Sequence, residues 1–301
     1  MESFVHYTNC PVCKSSNLKK IFKAVDFTVS KKEFEILECA QCSLRFTQNV
    51  PDADSISSYY KSEDYISHTN SSKGLINKLY QIVRSITLKQ KQYNIERITG
   101  LKTGHLLDVG SGTGMFVKQM KDHGWQVTGL EPDEAARNLA YNKNKVQLFD
   151  MDLMEKLNKE SFDAISLWHV LEHVHDLDLF ITKLKDLLKP SGTIFIALPN
   201  YTSLDAAYYK NNWAAYDVPR HLYHFSPAAI DELMKRHNLK VIKHQPMWFD
   251  SFYISLLSSK YKTGAIKIFD GFFNGLKSNL NAFKNPQKCS SVIYLVKKIE
   301  A

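Results

Sequence analysis

Short apolar runs alternate with amphipathic segments between residues 105 and 200, and this alternation restricts the chain to few folds. Glycine or proline separates most of these segments, and strands that alternate with helices build a parallel, doubly wound α/β sheet. Two further runs extend the predicted sheet to seven strands. The predicted strands are 105–109, 126–130, 146–149, 162–167, 193–198, 239–244 and 290–297.

A glycine-rich turn follows the first predicted strand. Gly110, Gly112 and Gly114 come directly after that strand and before a helix. Glycine accepts positive φ and lets a ligand approach the backbone, and the first N–H groups of the helix are free to bind it. Position 115 is Met, so the G-x-G-x-x-G pattern of dinucleotide sites is missed, and no Lys-Ser/Thr pair completes a P-loop. The turn predicts a ligand site of another kind.

The segment from Asp108 to Gly114, followed by Glu131 at the end of the second strand, resembles the class I S-adenosylmethionine-dependent methyltransferases. The resemblance implies a Rossmann-like sheet, with its last strand antiparallel, and an enzyme that uses this cofactor. The cofactor residues that it implies lie at the ends of the first four strands. They are Asp108, Gly110, Gly112 and Gly114 beside the methionine part, Glu131 on the ribose hydroxyls, Asp152 or Asp150 on the adenine amino group, and Trp168.

A cluster of titratable residues ends the fourth predicted strand, where open α/β sheets bind their ligands. Its Leu-Glu-His-Val stretch resembles the motif that lies beside the transferred methyl in ubiquinone-biosynthesis-type O-methyltransferases. His169 or His173 is predicted as the general base for an attacking hydroxyl. Alternatively, His169, Glu172 and His173 bind a divalent ion, with His221 or His224 as a later ligand, as the similar motif of metal-dependent RNA 2′-O-methyltransferases implies. A third interpretation is that the histidines only order the cofactor pocket.

Residues 201–226 form a long, aromatic and polar connection after the fifth predicted strand. Long loops at this edge of a sheet usually form lids or substrate sites. The connection resembles a segment of a broad bacterial group of methyltransferases, several of which have amino-terminal cysteine modules. Tyr216, Arg220, His221 and His224 are the predicted substrate residues, with Arg220 as a clamp for phosphate or carboxylate. The alternative is a segment that only packs over the core.

Two Cys-x-x-Cys motifs lie near the amino terminus, at Cys10 and Cys13 and at Cys39 and Cys42. A tetrahedral Zn²⁺ takes four thiolates, and each motif presents two. We predict that residues 1–50 form a small zinc-ribbon-like module that needs its metal to fold. An iron site and redox-active pairs are the alternatives.

The remaining organisation follows from composition and periodicity. Residues 51–100 are predicted to be a linker and a lid helix, and residues 101–301 the methyltransferase domain. A helical insertion at 248–280 combines many apolar side chains with lysines, which suits a membrane surface or a lipid-linked substrate, or packing on the sheet or in a dimer. One face of the helix at 73–99 is predicted to be apolar through Leu75, Leu79, Ile82, Ile86 and Tyr93.

The predicted function is methyl transfer to a small molecule, most simply O-methylation of a quinone-like, lipid-linked or sugar acceptor. C-methylation of a nucleotide sugar is an alternative, because some sugar methyltransferases carry a similar zinc module. The net charge of +8 leaves methylation of nucleic acid open, although no RNA-binding motif supports it, and a non-enzymatic binding module is a further alternative. No signal peptide or transmembrane run is visible, so a cytoplasmic location is expected. The oligomeric state stays open.

Overall fold

The computed structural model describes residues 3–60 and 75–299. The strands of these parts are β1 (Phe4–Val5), β2 (Leu18–Val25), β3 (Glu33–Cys39), β4 (Arg45–Thr47), β5 (Val50–Pro51), β6 (His105–Val109), β7 (Gln126–Leu130), β8 (Phe162–Trp168), β9 (Leu188–Pro199), β10 (Tyr223–His224), β11 (Leu239–Pro246) and β12 (Ser291–Lys298). The α-helices are α1 (Leu75–Thr99), α2 (Met115–Asp122), α3 (Glu134–Leu139), α4 (Leu177–Leu187), α5 (Leu204–Tyr209), α6 (Pro227–Arg236), α7 (Asp250–Thr263) and α8 (Ile268–Lys284).

A mixed six-stranded sheet forms the centre of the described residues, in the order β11-β12-β9-β8-β6-β7. Strands β7, β6, β8 and β9 pair in parallel, whereas β12 runs antiparallel to both β9 and β11. The predicted α/β sheet with an antiparallel last strand is therefore present, but it has six of the seven predicted strands within the described residues.

The prediction of a strand at 146–149 is wrong in detail, since one isolated parallel bridge joins Phe149 to Leu130. Val146 and Leu148 are buried in a small apolar cluster, and within residues 3–60 and 75–299 Phe149 exchanges backbone hydrogen bonds only with Gly129 and Glu131. Burial of its side chains holds this short segment in place although it forms no longer ladder of backbone hydrogen bonds. Its apolar pattern alone therefore could not show that regular strand pairing is missing.

The pleat of β6 assigns its side chains to two different cores. Leu107 and Val109 pack into the core that also contains α4, while Leu106 packs on the opposite side with Ile95 of α1. Because side chains alternate along a strand, Asp108 points to the same side as Leu106. The carboxylate is thus directed towards helix α1.

A four-stranded antiparallel sheet with the order β10-β4-β3-β2 contains the amino-terminal strands. Strand β10 comes from the long connection at 201–226 and pairs Tyr223 with Phe46 and His224 with Arg45. Three of the four motif cysteines belong to the same apolar core as the larger sheet. The small sheet therefore includes residues from both sides of the predicted boundary at residue 50.

Helix α1 uses a different face from the predicted one. Ile82, Ile86 and Tyr93 are exposed, and the side chains of Leu75 and Leu79 lie outside the described residues. Apolar side chains occur on two faces of this helix, so periodicity alone does not decide which face packs. The residues that turn inward are Leu88, Gln92, Ile95 and Ile98.

Helices α7 and α8 make up most of the predicted insertion at 248–280. They pack closely because a Cβ at Gly271 would lie 2.8 Å from Leu256, and one at Gly275 would lie 2.9 Å from Phe252. Several apolar side chains in and before α8 remain exposed, among them Ile266, Ile268, Phe269, Phe272, Phe273, Leu280 and Phe283. Among the described helices, none combines the length and apolar character needed to span a membrane.

Candidate active site

The glycine turn between β6 and α2 adopts a conformation that few other residues tolerate. Gly110 and Gly112 have φ values of +69° and +53°. A Cβ at Gly110 would lie 2.5 Å from Cγ2 of Val170, whereas a Cβ at Gly112 would meet no atom of the described residues within 4 Å. Position 110 therefore requires glycine because of the contact with Val170, whereas the backbone at Gly112 is open to a ligand.

Glu131 joins the end of β7 to this turn. Its Oε2 accepts a hydrogen bond from the backbone N–H of Gly112 at 2.7 Å, and its Oε1 accepts one from Asp133 at 3.0 Å. Burial raises the pKa of Glu131 above its usual value, although the two backbone N–H groups act in the opposite direction. The carboxylate keeps further lone pairs for hydroxyl donors.

Asp108 lies buried beneath the turn. Its Oδ1 accepts a hydrogen bond of 2.6 Å from Ser166 on the neighbouring strand. Burial raises the pKa of Asp108 to about 6, against the effect of that hydrogen bond. A carboxylate in such a position is stabilised by any cation that approaches it, such as an ammonium group.

Lys91 of α1 reaches the same side of the sheet. Its Nζ lies 4.2 Å from the ring centre of Trp168, and burial lowers its pKa to about 8, against the carboxylates of Asp108 and Asp250. The indole Nε1 of Trp168 is buried and has no hydrogen-bond partner among the described residues. Arg84 of the same helix donates to the Thr113 hydroxyl at 3.3 Å. Helix α1 thus covers the turn.

The two acidic residues predicted for the adenine end differ in their surroundings. Asp150 forms an ion pair of 2.8 Å with Arg137, which also donates to the backbone oxygen of Glu131. Asp152 is exposed, and its N–H donates to Asp150 at 3.3 Å. Both side chains are exposed, but Asp150 is engaged by Arg137 at the end of β7.

His169 lies between two carboxylates directly after β8. Its Nε2 is 2.9 Å from Asp250 and its Nδ1 is 3.4 Å from Glu172. Burial by itself lowers the pKa of His169, but the two carboxylates outweigh it and raise the pKa to about 10. The imidazole is therefore positively charged at neutral pH.

His173 lies in the opposite electrostatic environment. Burial and the neighbouring His221 lower the pKa of His173 to about 4, so this ring is neutral at neutral pH. The two imidazole rings meet edge to face with centres 4.7 Å apart. Nδ1 of His173 lies 2.9 Å from the carbonyl oxygen of Arg220 and 3.0 Å from the Tyr60 hydroxyl.

Glu172, His173 and His221 form a cluster in which one ligand atom from each residue lies within 4.8 Å of the others. This cluster contains Glu172, His173 and the later ligand His221 of the predicted metal set, but it does not include His169. His169 instead pairs with Asp250 at the start of α7. Neither carboxylate oxygen of Glu172 has a hydrogen-bond partner within residues 3–60 and 75–299, although Glu172 is fully buried.

Arg220, predicted as a substrate clamp, lies in a buried ion-pair network. It is 1% exposed, and its guanidinium lies 3.2 Å from Asp26, 2.5 Å from Asp217 and 2.9 Å from the carbonyl oxygen of Tyr59. These contacts join the connection at 201–226 to the amino-terminal sheet. They favour a structural role, and the binding of a substrate anion stays a prediction.

Tyr216 and His224 are buried in the same interface. The Tyr216 hydroxyl accepts a hydrogen bond of 2.9 Å from Arg45, and Nε2 of His224 lies 3.1 Å from the Thr47 hydroxyl. Burial lowers the pKa of His224 well below its usual value, so the ring is neutral. Among the four predicted substrate residues, His221 is the one that lies in the cluster with Glu172.

The four motif cysteines converge as predicted. Sγ of Cys10 lies 3.5 Å from Sγ of Cys42, and Sγ of Cys13 lies 3.4 Å from Sγ of Cys39. A disulfide would place the sulfurs about 2.05 Å apart, and a tetrahedral zinc about 3.8 Å apart. The four thiols therefore fit one Zn²⁺ better than two disulfides.

Sequence reasoning missed two residues of the site. Asp250 could have been found, because it follows β11 at the same edge of the sheet as the glycine turn. Lys91 carries no signal that distinguishes it from other lysines, since its position depends on which face of α1 packs inward.

Comparison with known proteins identifies the central sheet. A profile described as a methyltransferase domain matches residues 86–244, which is more than half of the chain. The chain belongs to this methyltransferase domain family. It is a class I enzyme that depends on S-adenosylmethionine, as the sequence predicts.

Two curated relatives show the same similarity. The ubiquinone biosynthesis O-methyltransferase of Coxiella burnetii is 33% identical over 130 residues, which cover 39% of this chain and 56% of the relative. That of Pelagibacter ubique is 30% identical over 161 residues, which cover 50% and 67%. The chain thus spans about half the length of the first of these relatives.

Two solved structures share the fold. A putative sarcosine dimethylglycine methyltransferase from Galdieria sulphuraria has a TM-score of 0.50 and 14% identity, and the match covers 72% of this chain and 88% of that one. Magnesium protoporphyrin IX methyltransferase from Synechocystis has a TM-score of 0.50 and 16% identity, covering 64% and 92%. At these sequence identities, the similarity to the two structures shows a shared α/β fold and nothing further.

Proposed function

We propose that this methyltransferase transfers a methyl group to an oxygen atom of a quinone-like, lipid-linked or sugar acceptor. The observation that carries the proposal is the contact between Gly110 and Val170, which places the glycine turn directly against the turn that contains Glu172 and His173. The names of the curated relatives support O-methylation as the reaction.

The proposed cofactor residues line one edge of the sheet. The open backbone at Gly112, the buried carboxylate of Asp108 and the carboxylate of Glu131 fit a ligand with an ammonium group and a ribose. We assign Asp152 rather than Asp150 to the adenine end, because Arg137 already occupies Asp150. The full proposed set is Asp108, Gly110, Gly112, Gly114, Glu131, Asp152 and Trp168.

When bound, S-adenosylmethionine supplies the methyl group as an electrophile, and its sulfur keeps the electron pair of the broken C–S bond. The residues of the chain have to orient the acceptor, exclude water and remove the hydroxyl proton of the acceptor. Orientation provides most of the acceleration in such a transfer. Helix α1 contacts the turn at Thr113 through Arg84 and the end of β8 at Trp168 through Lys91.

The two histidines proposed as bases are not equivalent. His169 already carries a proton at neutral pH because Asp250 and Glu172 stabilise its charged form. His173 is neutral and therefore has a free lone pair. We assign to His173 the activation of the acceptor hydroxyl, either directly as the base or through a bound cation. We assign a positioning role to His169.

The cysteine cluster and the connection at 201–226 support this site. We propose a structural Zn²⁺ at Cys10, Cys13, Cys39 and Cys42, since four thiolates leave no open position for a substrate. Arg220 and its carboxylate partners hold the connection in place beside the small sheet.

The test uses S-adenosylmethionine labelled in the methyl group and three acceptor classes: hydroxylated quinols, lipid-linked phenols and nucleotide sugars. Label in an O-methyl product of one class supports the proposal, and His173→Gln should abolish it. His123→Gln, at an exposed histidine far from the site, is the control. Label on a sugar carbon, or in nucleic acid offered in a parallel reaction, would instead establish one of the alternative functions.

A further inference from the structure

We propose that Glu172, His173 and His221 bind a divalent transition-metal ion, at a site separate from the cysteine cluster. Each residue offers a ligand atom, and these atoms lie within 4.8 Å of one another. Two imidazoles and one carboxylate are a common donor set for such ions. The proposed metal binding is independent of the proposed function, whereas the role of the metal in the reaction rests on that function.

The hydrogen bonds of the two histidines leave one ring nitrogen of each available. Nδ1 of His173 is 2.9 Å from the carbonyl oxygen of Arg220, and Nδ1 of His221 is 2.8 Å from that of Ala215. A carbonyl oxygen only accepts, so both Nδ1 atoms carry the proton and donate it. Nε2 of each ring then keeps its lone pair, which is how metal-binding histidines are usually oriented.

Glu172 supplies the second argument. Its side chain is fully buried and neither oxygen has a hydrogen-bond partner within the described residues. The neighbouring cation is His169, whose Nδ1 lies 3.4 Å from Oε1 and whose Nε2 is already bonded to Asp250. His169 balances the charge of Glu172, but a buried carboxylate whose oxygens accept no hydrogen bond is costly to maintain, and a metal ion would satisfy those oxygens.

His221 is brought to the site by the long connection. The N–H of Leu222 donates to the carbonyl oxygen of Glu172 at 2.8 Å, and the Thr47 hydroxyl donates to the carbonyl oxygen of His221 at 2.8 Å. Asp217 lies 3.9 Å from Nε2 of His221, but Arg220 neutralises its charge. The backbone on both sides of the ligand is therefore held.

Three protein ligands leave coordination positions open for a substrate. An ion bound there would coordinate an acceptor with two adjacent oxygens and lower the pKa of its hydroxyl. The site lies on the turn that packs against Gly110, beside the glycine turn. The inference therefore narrows the acceptor class to compounds with vicinal oxygens, such as catechol-like quinols or sugar diols.

The experiment measures binding of Mn²⁺ to the full-length protein by electron paramagnetic resonance. Mn²⁺ prefers oxygen and imidazole ligands and binds thiolates weakly, so it does not displace zinc from the cysteines. We expect one Mn²⁺ per chain, with binding weakened at least about tenfold in Glu172→Gln and in His221→Asn. Glu155→Gln and His123→Asn, at exposed positions, are matched controls that should bind as the wild type does.

The wild-type titration alone can overturn the proposal. If no Mn²⁺ binds up to about 1 mM, or if Glu172→Gln and His221→Asn bind it as tightly as the controls, the site does not exist. Binding that only the two cluster variants lose establishes the site. If Mn²⁺ binds in this way and no vicinal-oxygen acceptor is methylated, the metal site stands and the proposed function fails.

Discussion

Alanine substitutions in the glycine turn should separate a steric effect from a cofactor effect. Gly112→Ala forces an alanine to φ +53° but creates no contact within the part of the chain that the structure describes, since no atom there lies within 4 Å of the new Cβ. A left-handed alanine costs about 1–2 kcal/mol, and the loss of unfolded-state entropy returns about 0.4–1 kcal/mol. We therefore expect Gly112→Ala to lower the free energy of unfolding by about 1 kcal/mol.

Gly110→Ala should be more destabilising, because its Cβ would lie 2.5 Å from Cγ2 of Val170. Overpacking of this kind adds about 1–3 kcal/mol to the conformational cost, so the total is about 2–4 kcal/mol. Val170→Ala removes the clashing methyl group. In a double-mutant cycle, Gly110→Ala and Val170→Ala should therefore compensate each other by about 1–3 kcal/mol.

Urea unfolding and calorimetric titration with S-adenosylmethionine measure the two effects. Gly100→Ala is the matched control, because Gly100 has φ +72° and an equally open Cβ position outside the turn. Gly112→Ala should bind the cofactor at least about tenfold more weakly than Gly100→Ala, with similar stability. Equal cofactor affinity in these two variants would refute the assigned cofactor contact, and equal stability of Gly110→Ala and Gly112→Ala would refute the steric argument.

Three further predictions follow from burial and charge. The pKa of Asp108 in the folded protein is about 6 and its ordinary value is 3.8, so ionisation of this carboxyl destabilises the fold as the pH rises from about 4 to about 6. Asp108→Asn should therefore be about 3 kcal/mol more stable than the wild type at pH 7 and no more stable below about pH 4, and a stability difference in thermal melts that does not change with pH would contradict this. Arg220→Met removes the cation that pairs with Asp26 and Asp217, so it should lower the free energy of unfolding, measured in urea, by about 3–5 kcal/mol. Arg97→Met, at an exposed arginine, should not, and an equal loss of stability in the two variants would exclude the ion-pair argument. A chelator that removes the proposed Zn²⁺ should lower the Tm by more than about 10 °C in the wild type and in Cys289→Ser, and an unchanged Tm would exclude a structural metal at the motif cysteines.

The central strands were predictable because parallel strands that are buried on both faces form continuous apolar runs. Strand β6 and its glycine turn illustrate this, since local sequence alone indicates both the strand and the positive φ that follows. The apolar face of α1 was not predictable. Two faces of that helix carry apolar side chains, and packing selects the one with Ile95 while Ile82 and Ile86 remain exposed.

The site shows the same division between local and long-range information. His169, Glu172 and His173 were found because they follow a strand end, but their chemical states depend on distant residues. Asp250, 81 positions later in the chain, makes His169 a cation. His221 lies 48 positions after His173 and helps to keep the imidazole ring of His173 neutral. Two histidines four positions apart therefore have pKa values shifted in opposite directions, which no local pattern could indicate.

The small amino-terminal sheet explains how a long connection can supply a residue to the site. Fixing a connection such as 201–226 costs conformational entropy for every residue ordered, and contacts with its neighbours have to offset this cost. Strand β4 pairs with β10, Asp26 binds Arg220, and Thr47 holds the carbonyl oxygen of His221. These partners come from the amino-terminal sheet, or in the case of Asp26 from the turn between β2 and β3, and the core of that sheet contains motif cysteines. We infer that the cysteine cluster acts on the reaction indirectly, because the fold that it stabilises holds His221 beside Glu172.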